Sequence, residues 1–143
     1  MIALLQRVSE ARVDVDGETV GQIQAGILAL VAVERGDGEA QASRMLERIL
    51  GYRIFADDQG RMNRSLKDTG GGLLLVSQFT LAADTASGMR AGFSGAATPE
   101  DGEREFSRLV EMARAAYSPV ETGRFRTHMQ VHLINDGPVT FHL

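Results

Sequence analysis

The sequence predicts an α+β domain, a mixed β-sheet that is curled or barrel-like, with two main helices packed on it. Three observations lead there. Apolar runs of strand length recur from the first residues to the last. Only two stretches carry a helical apolar stripe. Strands, helix, strands, helix and strands follow in that order, so two helices must cover many apolar strands and curling covers the remainder. Residues 1–143 form one domain, with no repeat, low-complexity tract or linker.

Ile2 to Val15 alternates loosely and reads as a strand, closed by a hairpin turn at Asp16-Gly17, where glycine accepts the positive φ of a type I′ turn. Thr19 to Ile23 returns as a second strand. Ile27 to Val33 is continuously apolar and reads as a central strand covered on both faces. Asp37 is the predicted N-cap of a helix whose stripe is Ala42, Met45, Leu46, Ile49 and Leu50, with Glu39 favouring its first turn. Gly51 lies near its end. Tyr52 to Phe55 reads as a short strand, Asp57 to Gly60 as a turn, and Arg61 to Asp68 as an extended piece.

The stretch Gly70 to Leu81 is the axis of the chain. It opens with three glycines, runs through Leu73 to Val76 as a second central strand, and turns polar at Ser77, Gln78 and Thr80. Strand alternation puts Gln78 and Thr80 on the side of Leu74 and Val76, and Ser77 on the side of Leu75 and Phe79. Residues 82–97 are rich in Gly, Ala and Ser and form a loop long enough to be functional or mobile. Thr98-Pro99-Glu100-Asp101 is a helix start, and Phe106, Leu109, Val110, Ala113 and Tyr117 supply its stripe. Met129 to Ile134 and Val139 to Leu143 read as two last strands joined by Asn135-Asp136-Gly137-Pro138.

Composition narrows the function. The chain is 43% apolar and 24% charged, which is ordinary for a globular protein and argues against disorder. It has no cysteine, which excludes disulfides and thiolate metal sites and fits a cytoplasmic setting. Residues 1–7 do not resemble a signal peptide, and no segment approaches a membrane span. The net charge of −4 gives no support for broad electrostatic binding to DNA or RNA. Recognition of a small piece of RNA through shape and hydrogen bonds stays open.

Each candidate for chemistry has a structural alternative. Polar groups at the end of a core strand build either a network or a site, since unpartnered burial costs a few kcal/mol, and the sequence favours a site. Gly70-Gly71-Gly72 precedes a strand, whereas a phosphate loop follows one, so a turn or bulge is the better account. Gly92-Phe93-Ser94-Gly95 lacks the spacing of a nucleophile elbow. The three histidines, His128, His132 and His142, lack a third ligand for metal catalysis and read as solvated or satisfied. Thr80 has no adjacent base and reads as a buried hydrogen-bonding residue. Arg61, Arg64, Lys67, Arg90, Arg124 and Arg126 read equally as a basic rim or as dispersed charge. Arg7 sits among apolar strand residues and calls for a specific partner. Gly137-Pro138 marks a turn, an edge or a cis bond.

Ser77-Gln78-Phe79-Thr80, followed near the C-terminus by Asn135-Asp136-Gly137-Pro138-Val139-Thr140, resembles the D-aminoacyl-tRNA deacylase (D-tyrosyl-tRNA deacylase) family. Gln6-Arg7-Val8, Gly51 to Phe55, and Gly123-Arg124-Phe125 leading to Met129-Gln130-Val131 match further blocks in order across the chain. The resemblance implies a homodimer with active sites at the subunit interface, no cofactor, and the aminoacylated 3′ end of tRNA as substrate. It further implies that the ester of a D-amino acid or glycine is hydrolysed, that Ser77 to Thr80 line the pocket, and that Gly137-Pro138, with a cis bond, enters the partner's site and excludes L-isomers by contact. By the same resemblance Arg7 would hold that pair in place, and Phe125 and Met129 would lie near the adenosine.

With no histidine near Ser77 to Thr80, the expected mechanism is attack by water without a protein base. Main-chain N–H groups near Phe79 and Thr80 stabilise the oxyanion, and the ribose 2′-hydroxyl assists. The alternatives are a Ser/Thr-nucleophile esterase on small substrates and a non-catalytic dimeric nucleotide-binding module.

Overall fold

The computed structural model describes residues 1–143. A long first strand, β1 (Ile2–Val15), organises the sheet. Its first half pairs antiparallel with β3 (Gly26–Ala32), and its second half pairs with β2 (Glu18–Ile23) across the Asp16-Gly17 turn. β6 (Gly72–Ser77) lies parallel to β3, with Ile27 opposite Leu73 and Val31 opposite Ser77, and β7 (Val120–Thr122) lies parallel to β6. The sheet is therefore mixed. It also nearly closes, because a side-chain carbon on Gly21 of β2 would run into the Thr122 carbonyl of β7.

Two apolar clusters follow from strand alternation. Leu5, Ile27, Ala29, Leu73 and Leu75 face outward. They meet Ile49 and Leu50 of α1 (Glu39–Gly51) and Phe106 and Leu109 of α3 (Pro99–Ala116). Val8, Val13, Ile23, Leu28, Leu74 and Val76 face inward and fill the curled sheet. Both helices bury the stripes read from the sequence, except that Tyr117 falls just beyond the end of α3 and is half-buried.

Several expectations are corrected. The N-cap of α1 is Gly38, whose N–H donates to Gln41 Oε1 at 2.9 Å. Asp37 instead accepts from the Glu34 N–H at 2.8 Å and stands 2.7 Å from the Met1 ammonium. Tyr52 to Phe55 is not a strand; only β4 (Phe55–Ala56) forms, paired with β5 (Met62–Arg64). The extended reading of Arg61 to Asp68 fails after Arg64, where a single helical turn, α2 (Leu66–Thr69), follows. Ser65 caps it and Asp68 reciprocates, accepting from the Ser65 N–H at 2.7 Å and hydroxyl at 2.9 Å. Those bonds hold the Asp68 carboxyl below its ordinary range.

The triple glycine ends this turn. Gly70 adopts φ 69°, the left-handed C-cap conformation that glycine takes at little cost. Gly72 then crosses so close to β2 that an added Cβ would stand 2.7 Å from Ile23 Cβ. Strand β7 after Pro119 had no sequence signal. The two last strands are one strand, β8 (Gln130–His142), because the chain does not reverse at Asn135 to Pro138. Asn135 pairs with Val8 and Thr140 with Gln6 of the same β1, and residues 136–139 leave the ladder as a side loop.

Tyr117, at the end of α3, points its hydroxyl at the Leu66 carbonyl (3.1 Å) and the Gly71 carbonyl, tying the helix to the start of β6. Tyr117→Phe leaves both carbonyls short of this donor. A loss of about 1–2 kcal/mol in urea unfolding, at unchanged m-value, is expected.

Candidate active site

β6 ends at Ser77. The next residue, Gln78, donates its N–H to the Val31 carbonyl at 2.7 Å and takes φ −142°, ψ 77°. The chain then winds into a 3₁₀ turn, Phe79–Ala82. Strand alternation therefore stops at Ser77. Ser77 shares the face of Leu75, as the sequence indicates, but the faces assigned to Gln78, Phe79 and Thr80 do not apply. Thr80 is exposed rather than buried. It is nonetheless partnered, because Gln78 Nε2 donates to its hydroxyl at 2.6 Å. That partner is an amide donor and cannot take a proton from the hydroxyl.

The 3₁₀ turn leaves the N–H groups of Phe79 and Thr80 without an intrahelical acceptor, since an i→i+3 ladder begins at Leu81. Beside them opens a mostly apolar cavity of about 230 Å³. Val31, Ser77 and Phe79 line one side, and Thr98, Gly102 and Phe106 of the α3 N-terminal turns line the other. Phe125 also lines it and packs on Phe106 with ring centroids 6.2 Å apart. Phe79, more than half exposed, leans on Phe93 at 5.2 Å between centroids. Met129 does not line the cavity; it packs with the inner cluster, its sulfur filling the space against Gly123.

The second motif forms the side loop of β8. Asn135 Oδ1 accepts from the Val139 N–H at 2.7 Å, and its Nδ2 donates to Thr140 Oγ1 at 2.9 Å. Arg7 braces the same loop from β1. Its Nε donates to the Asp136 carbonyl and its Nη1 to the Ile54 carbonyl, both at 2.8 Å. Gly137 has φ 150°, and an added Cβ would stand 2.8 Å from Val139 N and 3.2 Å from Arg7 Nη2. The Gly137–Pro138 bond is cis, as is Ser118–Pro119.

Within one chain these two motifs are not brought together. Arg7 pairs with Ile27 and Leu73 lies beyond it, whereas Ser77 is level with Val31. Four residues along a strand is about 13 Å, before any lateral separation.

Of the basic residues, Arg126 reaches the cavity wall, while Arg64 is tied to Asp58 at 2.8 Å. His132 Nε2 lies 3.1 Å from Asp14. The hydrogen bond from Thr19 and the neighbouring Arg12 hold that aspartate's carboxyl low. Val31, Thr98, Gly102 and Phe106 line the cavity without any signal in the sequence that marks them for it. Nothing in a helical stripe distinguishes a side chain facing a cavity from one facing the core.

A family model described as D-Tyr-tRNA(Tyr) deacylase matches residues 4–143. The chain belongs to the D-Tyr-tRNA(Tyr) deacylase family. A D-aminoacyl-tRNA deacylase of Stenotrophomonas maltophilia is 67% identical over 142 residues, covering 99% of this chain and 97% of that one. One from Thioalkalivibrio sulfidiphilus is 68% identical over 143 residues, covering 100% and 96%. Among solved structures, the c-Myc DNA unwinding element binding protein superposes with a TM-score of 0.95 at 36% identity, covering 100% of this chain and 97% of that one. A probable eukaryotic D-amino acid tRNA deacylase superposes at 0.82 with 16% identity, covering 99% and 97%, a likeness of fold. The deacylase family is thus carried on the nearly closed mixed sheet described above.

Arg7→Lys tests the brace in this deacylase-family fold. A lysine ammonium cannot span two carbonyls as the guanidinium fork does. Amide exchange at Val139, whose N–H is held by Asn135, is expected to accelerate about tenfold, as for loss of about 1.4 kcal/mol of local stability, with the strands unaffected.

Proposed function

We propose that this chain hydrolyses the ester between a D-amino acid, or glycine, and the 3′-terminal adenosine of tRNA, and that it does so in the cytoplasm as a homodimer. The observation that carries the reading is the separation of the two motifs. The Gly137-Pro138 loop is braced at the Arg7 end of the sheet, and the Ser77 to Thr80 end opens on the cavity. A second copy can supply the loop to the first copy's cavity. β8 has the surface for such a pairing: only β1 occupies it, its side chains are alternately half-buried and exposed, and Ile134 is 54% exposed.

In this reading the cavity takes the adenosine, against Phe125 and between Ser77 and the first turns of α3. The ester carbonyl then lies over the 3₁₀ turn, where the N–H groups of Phe79 and Thr80 receive the developing oxyanion. Water attacks, and the ribose 2′-hydroxyl assists the leaving oxygen. Thr80 positions rather than attacks, because its only side-chain partner, Gln78, is a donor. The partner's Gly137-Pro138 backbone occupies the side of the α-carbon where an L side chain would project, and Gly137 keeps that surface low. Net charge −4 suits contacts confined to the tRNA end, and it gives no support to the DNA binding named for the 36% identical neighbour.

The direct test compares D-tyrosyl-tRNA and L-tyrosyl-tRNA. Release from the D form with the L form spared is expected; equal release indicates a general esterase, and no release indicates a binding module. Thr80→Val is expected to lower turnover by about tenfold, the size of one lost hydrogen bond, with no acyl-enzyme trapped in the wild type. Near-complete loss together with a trapped acyl-threonine contradicts the water mechanism. Gly102→Phe projects a ring into the cavity and is expected to abolish turnover while the unfolding midpoint stays within a few degrees of the wild type.

A further inference from the structure

Residues 136–139 leave the β1–β8 ladder and must return to it in register, with no main-chain partner of their own across that gap. Arg7 braces only the first of them, through the Asp136 carbonyl. What closes the other end is the Asn135 side chain. Its oxygen takes the Val139 N–H at 2.7 Å, and its nitrogen gives a hydrogen to Thr140 Oγ1 at 2.9 Å. One planar carboxamide thus spans the mouth of the loop and joins the residue before it to the last residue of the loop and the first residue after it. Gly137-Pro138 is suspended between this clamp and the Arg7 brace.

From this geometry we infer that Asn135 is a positioning residue for stereochemical selection. Its side chain sets how far the Gly137-Pro138 backbone projects, and so how strictly an L-isomer is shut out, without touching the substrate. The inference rests on the reading that this loop is the L-isomer barrier. A barrier that works by contact depends on where its atoms are held, so loosening it admits the wrong isomer more than it slows the right one. A role confined to folding would lower stability and leave the ratio of the two isomers alone.

The test measures kcat/KM on D-tyrosyl-tRNA and L-tyrosyl-tRNA for the full-length protein and three variants, with unfolding midpoints recorded for each. Asn135→Ala removes both bonds, and the D/L ratio is expected to fall by about tenfold or more, as for two ordinary hydrogen bonds. Asn135→Asp still accepts from the Val139 N–H and can take the Thr140 hydroxyl proton on its other oxygen. It is expected to restore the ratio to within about threefold of the wild type. Gly137→Ala alters the barrier itself and is the control.

If Gly137→Ala lowers the ratio and Asn135→Ala does not, the clamp is overturned and the barrier stands. If neither lowers it, the barrier reading itself fails and the clamp with it. If Asn135→Ala does not fold, Thr140→Val, a near-isosteric change on an exposed side chain, takes its place. A fall of about threefold or more then supports the clamp, and an unchanged ratio overturns it.

Discussion

The guanidinium of Arg7 is the point on which the architecture of the site turns. It stands on the helix-facing side of β1, in line with Ala3 and Leu5, where a charged group is tolerated only if its donors are used. Two of them are used on main-chain carbonyls from distant parts of the sequence, Ile54 after α1 and Asp136 in the side loop of β8. Because both acceptors are backbone, the fork fixes chain paths rather than side-chain rotamers. The loop so held is the one whose glycine cannot become alanine without meeting Val139 N and Arg7 itself.

The other half of the site depends on where a strand stops. β6 is buried along Gly72 to Val76 and keeps one last main-chain bond beyond Ser77, from Gln78 to Val31, just before β3 ends at Ala32. The 3₁₀ turn that follows exposes unpaired N–H groups beside a cavity roofed by α3. Its lining is mostly apolar, with Phe79, Phe106 and Phe125 in it and Arg126 its one charged residue, which in the proposed reading suits a base and ribose. Strand β1 keeps this end and the Arg7 end rigidly apart. In the proposed reading, the separation of pocket and loop within one chain, together with the unoccupied edge of β8, is what calls for a second copy.

Much of this was legible in the residues. Continuous apolar runs named the central strands, and the spacing of Ala42 to Leu50 and of Phe106 to Ala113 named both helices. Arg7 announced itself as a charge in an apolar strand that needed a partner. What could not be read has local causes. The 3₁₀ turn at Phe79 has no propensity signal distinct from a strand, so alternation read from the sequence runs three residues too far and puts Thr80 inside. The single strand β8 reads as two from the sequence because Gly-Pro normally signals reversal, whereas a side loop closed by Asn135 needs no reversal. The Ser65 and Asp68 capping box stands in the sequence, but the helix it opens is a single turn, too short to show a periodic apolar stripe. The cavity wall from Thr98, Gly102 and Phe106 depends on how α3 docks, which no periodicity specifies.

The measurement that tests the account most directly is subunit mixing. A subunit whose cavity is filled by Gly102→Phe is combined with one carrying Gly137→Ala, and the heterodimer is isolated by differential tagging. If the loop serves the partner's cavity, the only open cavity faces an intact loop, and the heterodimer releases D-tyrosine at about half the wild-type rate while sparing L-tyrosyl-tRNA. If loop and cavity act within one chain, the open cavity keeps its altered loop, and the heterodimer releases L-tyrosine as readily as the Gly137→Ala homodimer does per open site.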